Sequence, residues 1–137
     1  MGFSERDVIS VLQKIFESTD SRVKIGIGDD GAVVATSAQS IVTTDMAVEG
    51  VHFRLDWSSP FDIGRKIAAA NIADVIAMGG RTDYLVVAVS LTGHEELAWI
   101  ENLARGMQHE AVLAGASIVG GDISRGAHIV KIGRAHV

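Results

Sequence analysis

The stretch Gly26-Ile27-Gly28-Asp29-Asp30-Gly31, running straight into Ala32-Val33-Val34-Ala35, decides what kind of fold this chain has. Its spacing satisfies G-x-G-x-x-G, the dinucleotide fingerprint, but the fingerprint needs a helix after the glycines so that free amides receive the pyrophosphate. Here a β-branched, strand-like run follows instead. Two aspartates inside the loop would also repel the phosphate they were meant to cradle. A doubly wound dinucleotide fold is therefore excluded. Glycines that permit a tight bend and adjacent carboxylates suit either a plain Asp-Asp-Gly turn or a hard divalent cation such as Mg²⁺.

Outward from this loop, Ser4 is placed to cap a first helix reaching about Phe16, with Val8, Ile9, Leu12, Ile15 and Phe16 on one face. Residues 32–36 and 40–45 read as short strands, and 48–53 as a third. Ser58-Ser59-Pro60 opens a helix that runs to about Met78 and stops at Gly79-Gly80. Residues 84–91 form a continuous apolar run with the character of a buried strand, and 95–114 have helical spacing. Residues 117–119 and 127–130 read as strands on either side of Gly120-Gly121-Asp122. The pattern predicts one α/β (α+β) domain, a mixed and largely antiparallel sheet covered by helices.

Composition narrows the function. The 137 residues carry a formal net charge of −5, 47% hydrophobic and 21% charged residues, and no cysteine. This is globular composition with one core. The acidic balance argues against a nucleic-acid partner. The missing cysteines exclude disulfides and thiolate zinc sites and agree with a cytoplasmic location. No apolar run approaches the ~18 residues of a membrane span, and the N-terminus is charged where a signal peptide needs an apolar core.

The chemistry lies in aspartates with apolar or glycine-rich neighbours: Asp29, Asp30, Asp45, Asp74 and Asp122. A carboxylate so placed must pair with a cation, accept several hydrogen bonds or take up a proton. Asp74 and Asn71, three apart, are expected to share a face of an otherwise apolar, buried helix. Asp74 alone reads equally well as a structural acid satisfied by Arg or backbone amides. Thr43-Thr44-Asp45 puts three oxygen-bearing residues at a strand end, with Thr43 and Asp45 on one face. Carboxylates without histidine or thiolate neighbours select Mg²⁺. Gathered around a polyphosphate, they would serve phosphoryl transfer; acid–base work by an Asp pair is the rival use.

The loop at 26–31, Thr43-Thr-Asp-Met-Ala-Val-Glu-Gly-Val-His-Phe53, Asp62-Ile-Gly-Arg-Lys66 with Asn71-Ile-Ala-Asp-Val-Ile-Ala-Met-Gly79, and Gly120-Gly-Asp-Ile-Ser-Arg-Gly126 together resemble the thiamine-monophosphate kinases. These belong to a superfamily of ATP users that includes aminoimidazole-ribonucleotide synthetase and a hydrogenase maturation factor. The resemblance implies a fold like the aminoimidazole-ribonucleotide-synthetase N-terminal domain. It also implies ATP-dependent phosphorylation of thiamine monophosphate to thiamine diphosphate, and a homodimer. It assigns Mg²⁺ to Asp30, Thr43, Thr44, Asp45, Asp74 and Asp122, nucleotide contact to Gly121 and Asp122, and substrate contact to His52, which alone would read as a strand histidine. No catalytic base is implied, because the acceptor is already an ionised phosphate. Asp29 would shape the loop, and Arg125 ranks lower as a phosphate contact. Ile123-Ser124 stands where the family usually has Thr-Thr, and Thr43 where it commonly has Ser. Two other readings remain open: another superfamily member acting on a different substrate, or a non-catalytic dimerisation domain.

The resemblance ends near Gly126, and the family's second domain is absent. Ile132-Gly133-Arg134-Ala135-His136-Val137 matches one frame of a sequencing adapter, ATC GGA AGA GCA CAC GTC, whose next codon is the stop TGA. The expected organisation is thus an N-terminal Mg²⁺- and ATP-binding domain over 1–131, inactive by itself, followed by adapter-derived residues 132–137. Sequencing the genomic locus tests this: the frame is expected to continue past Lys131 in a different sequence. A native frame ending in these six residues would overturn it.

Overall fold

The computed structural model describes residues 2–136, with side-chain surroundings described to residue 129. Helix α1 (Glu5–Ile15) starts at a capping box: the Ser4 hydroxyl accepts from the Asp7 N–H, and the Asp7 carboxylate accepts from the Ser4 N–H at 2.6 Å. Strands β1 (Val23–Ile25) and β2 (Val33–Val34) form a small antiparallel ladder on either side of the glycine–aspartate loop. Then follow β3 (Val42–Val48), α2 (Pro60–Ala77), β4 (Tyr84–Leu91), α3 (Leu97–Ala114), β5 (Ser117–Arg125) and β6 (Val130–His136).

The main sheet has strand order β3-β6-β4-β5. β6 pairs antiparallel with both β3 and β4, whereas β4 and β5 are parallel. A parallel pair needs a crossover, and α3 supplies it. The expected mixed, largely antiparallel sheet with helical cover is therefore the observed one. Ile63, Ile67 and Val75 of α2 and Leu103, Met107 and Ala111 of α3 join Leu85 and Ile118 of the sheet in one core.

How closely the two long helices approach is set by two glycines. A Cβ on Gly64 would lie 2.1 Å from the Leu103 carbonyl oxygen, and one on Gly106 would lie 2.0 Å from that of Phe61. The helices therefore cross backbone against backbone. Pro60 begins α2 behind the Ser59 cap, as its place in the sequence predicts. Gly115, at φ +71°, closes α3 in the left-handed conformation.

Three local expectations are corrected. Residues 48–53 are a tight turn rather than a strand: Val51 and His52 both donate backbone N–H groups to the Val48 carbonyl, and Gly50 takes φ +81°. Gly120-Gly121-Asp122 is not a bend between strands but the middle of β5. A Cβ on Gly121 would come within 1.8 Å of the Val87 carbonyl oxygen, so glycine here serves strand approach. The last strand starts at Val130 rather than 127 and includes residues 132–136. The stretch read as adapter-derived thus pairs by its backbone between β3 and β4.

One charged network ties the chain before β1 to the sheet. Arg22 reaches Asp20 at 2.6 Å and Asp83 at 2.7 Å, and its guanidinium lies over the Tyr84 ring at 5.4 Å. The guanidinium holds the Asp20 carboxyl well below its ordinary value, at about 2.

Two predictions follow from these contacts. Helix propensity alone would favour Ala over Gly by ~1 kcal/mol, but the backbone overlap at the crossing outweighs it. Gly64→Ala should lower stability in urea by about 1–3 kcal/mol, while Gly31→Ala, with nothing within 4 Å of its Cβ, should stay within about 0.5 kcal/mol. Because the Asp20 value is lowered on folding, its contribution is present above the unfolded value near 4 and is lost as pH falls through about 2. Asp20→Asn should therefore cost about 1–2 kcal/mol at pH 7. The gap to the parent protein should shrink between pH 4 and 2, as read by denaturant melts at each pH.

Candidate functional site

Two cavities gather most of the residues singled out in the sequence. The larger, about 570 Å³, lies between α1, α3, strands β4 and β5 and the 26–32 loop. Val87, Val89, Leu103 and Met107 give it an apolar floor, and Asp29, Asp30 and Asp122 an acidic rim. Its volume is that of a small-molecule site. Asp30 reaches the rim because the Gly28 backbone, at φ +121°, turns the chain sharply. The Asp29 carboxylate accepts the Asp30 N–H at 2.9 Å, so it braces the loop, as expected for a residue that shapes the turn. Gly121 and Asp122 enter from β5, the edge strand on that side of the sheet.

The smaller cavity, about 70 Å³, lies between β3 and α2 and is lined by Asp45, His52, Lys66 and Asn71 together with apolar neighbours. Asp45 accepts the Met46 N–H at 2.8 Å. Thr43 precedes it by two residues on β3 and is half-buried, and Thr44 between them is exposed. His52 sits at the end of the turn after β3, with Nδ1 accepting the Val48 N–H at 3.0 Å.

The carboxylates do not converge: among the described residues no group of three or more His, Asp or Glu side chains is placed to hold one metal ion. Asp74 lies in the lining of neither cavity. Its expected burial beside Asn71 is overturned, since Asn71 is 2% exposed while Asp74 is exposed on α2. Three positions on a helix advance about 300°, enough to carry a neighbour across the boundary of the buried stripe. Asp74 therefore needs no partner for burial. None of Asp29, Asp30, Asp45, Asp74 and Asp122 makes an ion pair among the described residues. Solvated carboxylates, with no ion pair among the described residues, rim an apolar cavity. That arrangement lends itself to hard cations and the phosphates they carry.

Lys66 and Asn71 received no role from the sequence, although both lie in stretches that carry the resemblance. Asn71 Nδ2 donates to the Ile67 carbonyl at 2.9 Å, and its buried Oδ1 has no hydrogen-bond partner among the described residues. A lone polar residue in an apolar helix was the available signal.

Residues 28–135 match the family model of the AIR synthase related protein, N-terminal domain. The chain belongs to this family. A thiamine-monophosphate kinase of Corynebacterium glutamicum is 40% identical over 88% of the chain and 36% of its own length. The crystal structure of thiamine-monophosphate kinase from Stenotrophomonas maltophilia K279a superposes with a TM-score of 0.77 at 32% identity, over 99% of this chain and 42% of that one. A structure described as AaThiL complexed with AMPPCP and TMP superposes at 0.70 with 30% identity, over 96% and 41%. The chain thus spans about a third of the length of the curated relatives it matches. No helix among the described residues is long and apolar enough to cross a membrane.

Proposed function

We propose that this chain is the metal- and nucleotide-binding N-terminal part of a cytoplasmic kinase that moves the γ-phosphoryl group of ATP to thiamine monophosphate, giving thiamine diphosphate and ADP. The observation that carries the reading is the exposed carboxylate rim of Asp30 and Asp122, without an ion pair among the described residues, around the 570 Å³ apolar cavity. The support from similarity is a relative named thiamine-monophosphate kinase at 40% identity.

Mg²⁺ fits these residues. It binds through one or two carboxylates plus substrate phosphates and keeps several waters, so it does not need a preassembled protein cage. Asp30 and Asp122 would hold it at the larger cavity, Asp45 at the smaller, Thr43 and Thr44 beside Asp45 on β3, and exposed Asp74 at the α2 surface. When bound, Mg²⁺ would neutralise the polyphosphate and favour charge build-up during transfer. Gly121, in the cavity lining on β5, would contact the nucleotide, and the apolar floor excludes water from its base. His52 contacts the phosphate of the acceptor. The acceptor oxygen is already ionised, so no side chain is required as base.

We place residues 1–131 in this domain and keep 132–137 as adapter-derived. A homodimer is supported by β3, which is an edge strand with Val42 and Met46 exposed.

The test is an assay of the longer protein containing this domain, with ATP, Mg²⁺ and thiamine monophosphate. Thiamine diphosphate is expected to form. Asp45→Asn, Asp74→Asn and Asp122→Asn should each lower the rate by at least the ~10–100-fold lost with an outer-shell metal partner. A folded protein that makes no thiamine diphosphate would defeat the reading.

A further inference from the structure

The ring of His52 is held by one of its nitrogens. Nδ1 accepts the Val48 backbone N–H, and an imidazole nitrogen that accepts carries no proton. In the neutral ring the proton must then be on Nε2, on the opposite side of an exposed residue. Such a histidine offers a hydrogen-bond donor and no lone pair at its outer nitrogen. It can bind an anionic oxygen but cannot take a proton from one.

This geometry depends on the turn at 48–53. The turn is closed by Val51 and His52 N–H groups on the Val48 carbonyl and by Gly50 N–H on the Phe53 carbonyl. From outside the turn, Lys66 of α2 donates its ammonium to the His52 carbonyl. Lys66 lines the same cavity as His52, Asp45 and the buried, unpartnered Oδ1 of Asn71. Phe53, the residue after His52, is buried in the core with Ile63 and Ile67 of α2, and Lys66 adds a polar hold on the His52 carbonyl itself.

We propose that Lys66 is a positioning residue: by holding the His52 carbonyl from α2 it locks the imidazole onto the Val48 N–H, so that Nε2–H is presented as a fixed donor to an oxygen of the phosphate-monoester substrate. The substrate part of this statement rests on the kinase reading above. The lock itself does not.

The experiment is imidazole nitrogen–proton correlation NMR on the full 137-residue chain with labelled histidine, together with amide exchange at Val48, in the absence of any ligand. His52 is expected as the Nε2–H tautomer alone, with a protected Val48 amide. Lys66→Met keeps the aliphatic stem and removes the ammonium. It should speed Val48 exchange by about tenfold, the effect of losing one hydrogen bond, and let an Nδ1–H population appear. Lys66→Arg should restore both signals. A mixed or Nδ1–H tautomer in the parent chain overturns the proposal, whatever the variants do. So does a folded Lys66→Met chain with the parent's tautomer and exchange rate. Because no thiamine compound or nucleotide enters this measurement, its failure is separate from failure of the kinase assay.

Discussion

The crossing of α2 and α3 at Gly64 and Gly106 is the constraint on which the rest of the domain depends. With a carbonyl oxygen about 2 Å from where each Cβ would be, the two helices meet backbone against backbone, with no space for a side chain at either position. That approach puts Ile63 and Ile67 against the same core as Leu103 and Met107. It also fixes the walls of both cavities, since α3 lines the larger one and α2 the smaller. A wider crossing would move Lys66 and Asn71 relative to β3 and open the apolar floor under Asp30 and Asp122.

The acidic residues have a complementary logic. They are not buried within the protein; they stand exposed along β3 and β5 (Asp45 within its strand rather than at the expected strand end), in a glycine-rich loop and on a helix surface. An exposed carboxylate costs little to fold but leaves negative charge uncompensated. The cations that Arg22, Arg65 and Arg105 supply go instead to Asp20, Asp83, Glu110 and Glu101. Among the described residues, structural ion pairs and the candidate site therefore draw on different acids.

Much of the fold was legible. Ser4 before a charged first turn, Ser59-Pro60 before an apolar periodic run, and the unbroken 84–91 segment each carry their own local cause, and the elements begin where those causes place them. The failures share a different origin. Residues 48–53 include Val48, Val51 and Phe53 and read as a strand, but the turn is decided by Gly50 and by three backbone hydrogen bonds that residue type does not encode. Gly120-Gly121 look like a bend, yet a neighbouring strand that must approach Gly121 closely keeps them extended. Asp74 follows the sequence of a buried helix, whereas the width of the stripe covered by α3 and the sheet leaves it outside.

Local sequence was enough for the capped helices, the strand at β4, the rejection of a dinucleotide fold and the set of oxygen-bearing residues available for chemistry. All of these rest on local propensities, caps and residue chemistry that act over a few neighbours. How the set is divided comes from long-range packing: Asp30, Gly121 and Asp122 at one cavity, Asp45 and His52 at another with Lys66, and Asp74 on the surface. Those groupings join residues up to about ninety positions apart. They depend on how closely two helices cross and which strands pair, distances that no short window of sequence contains.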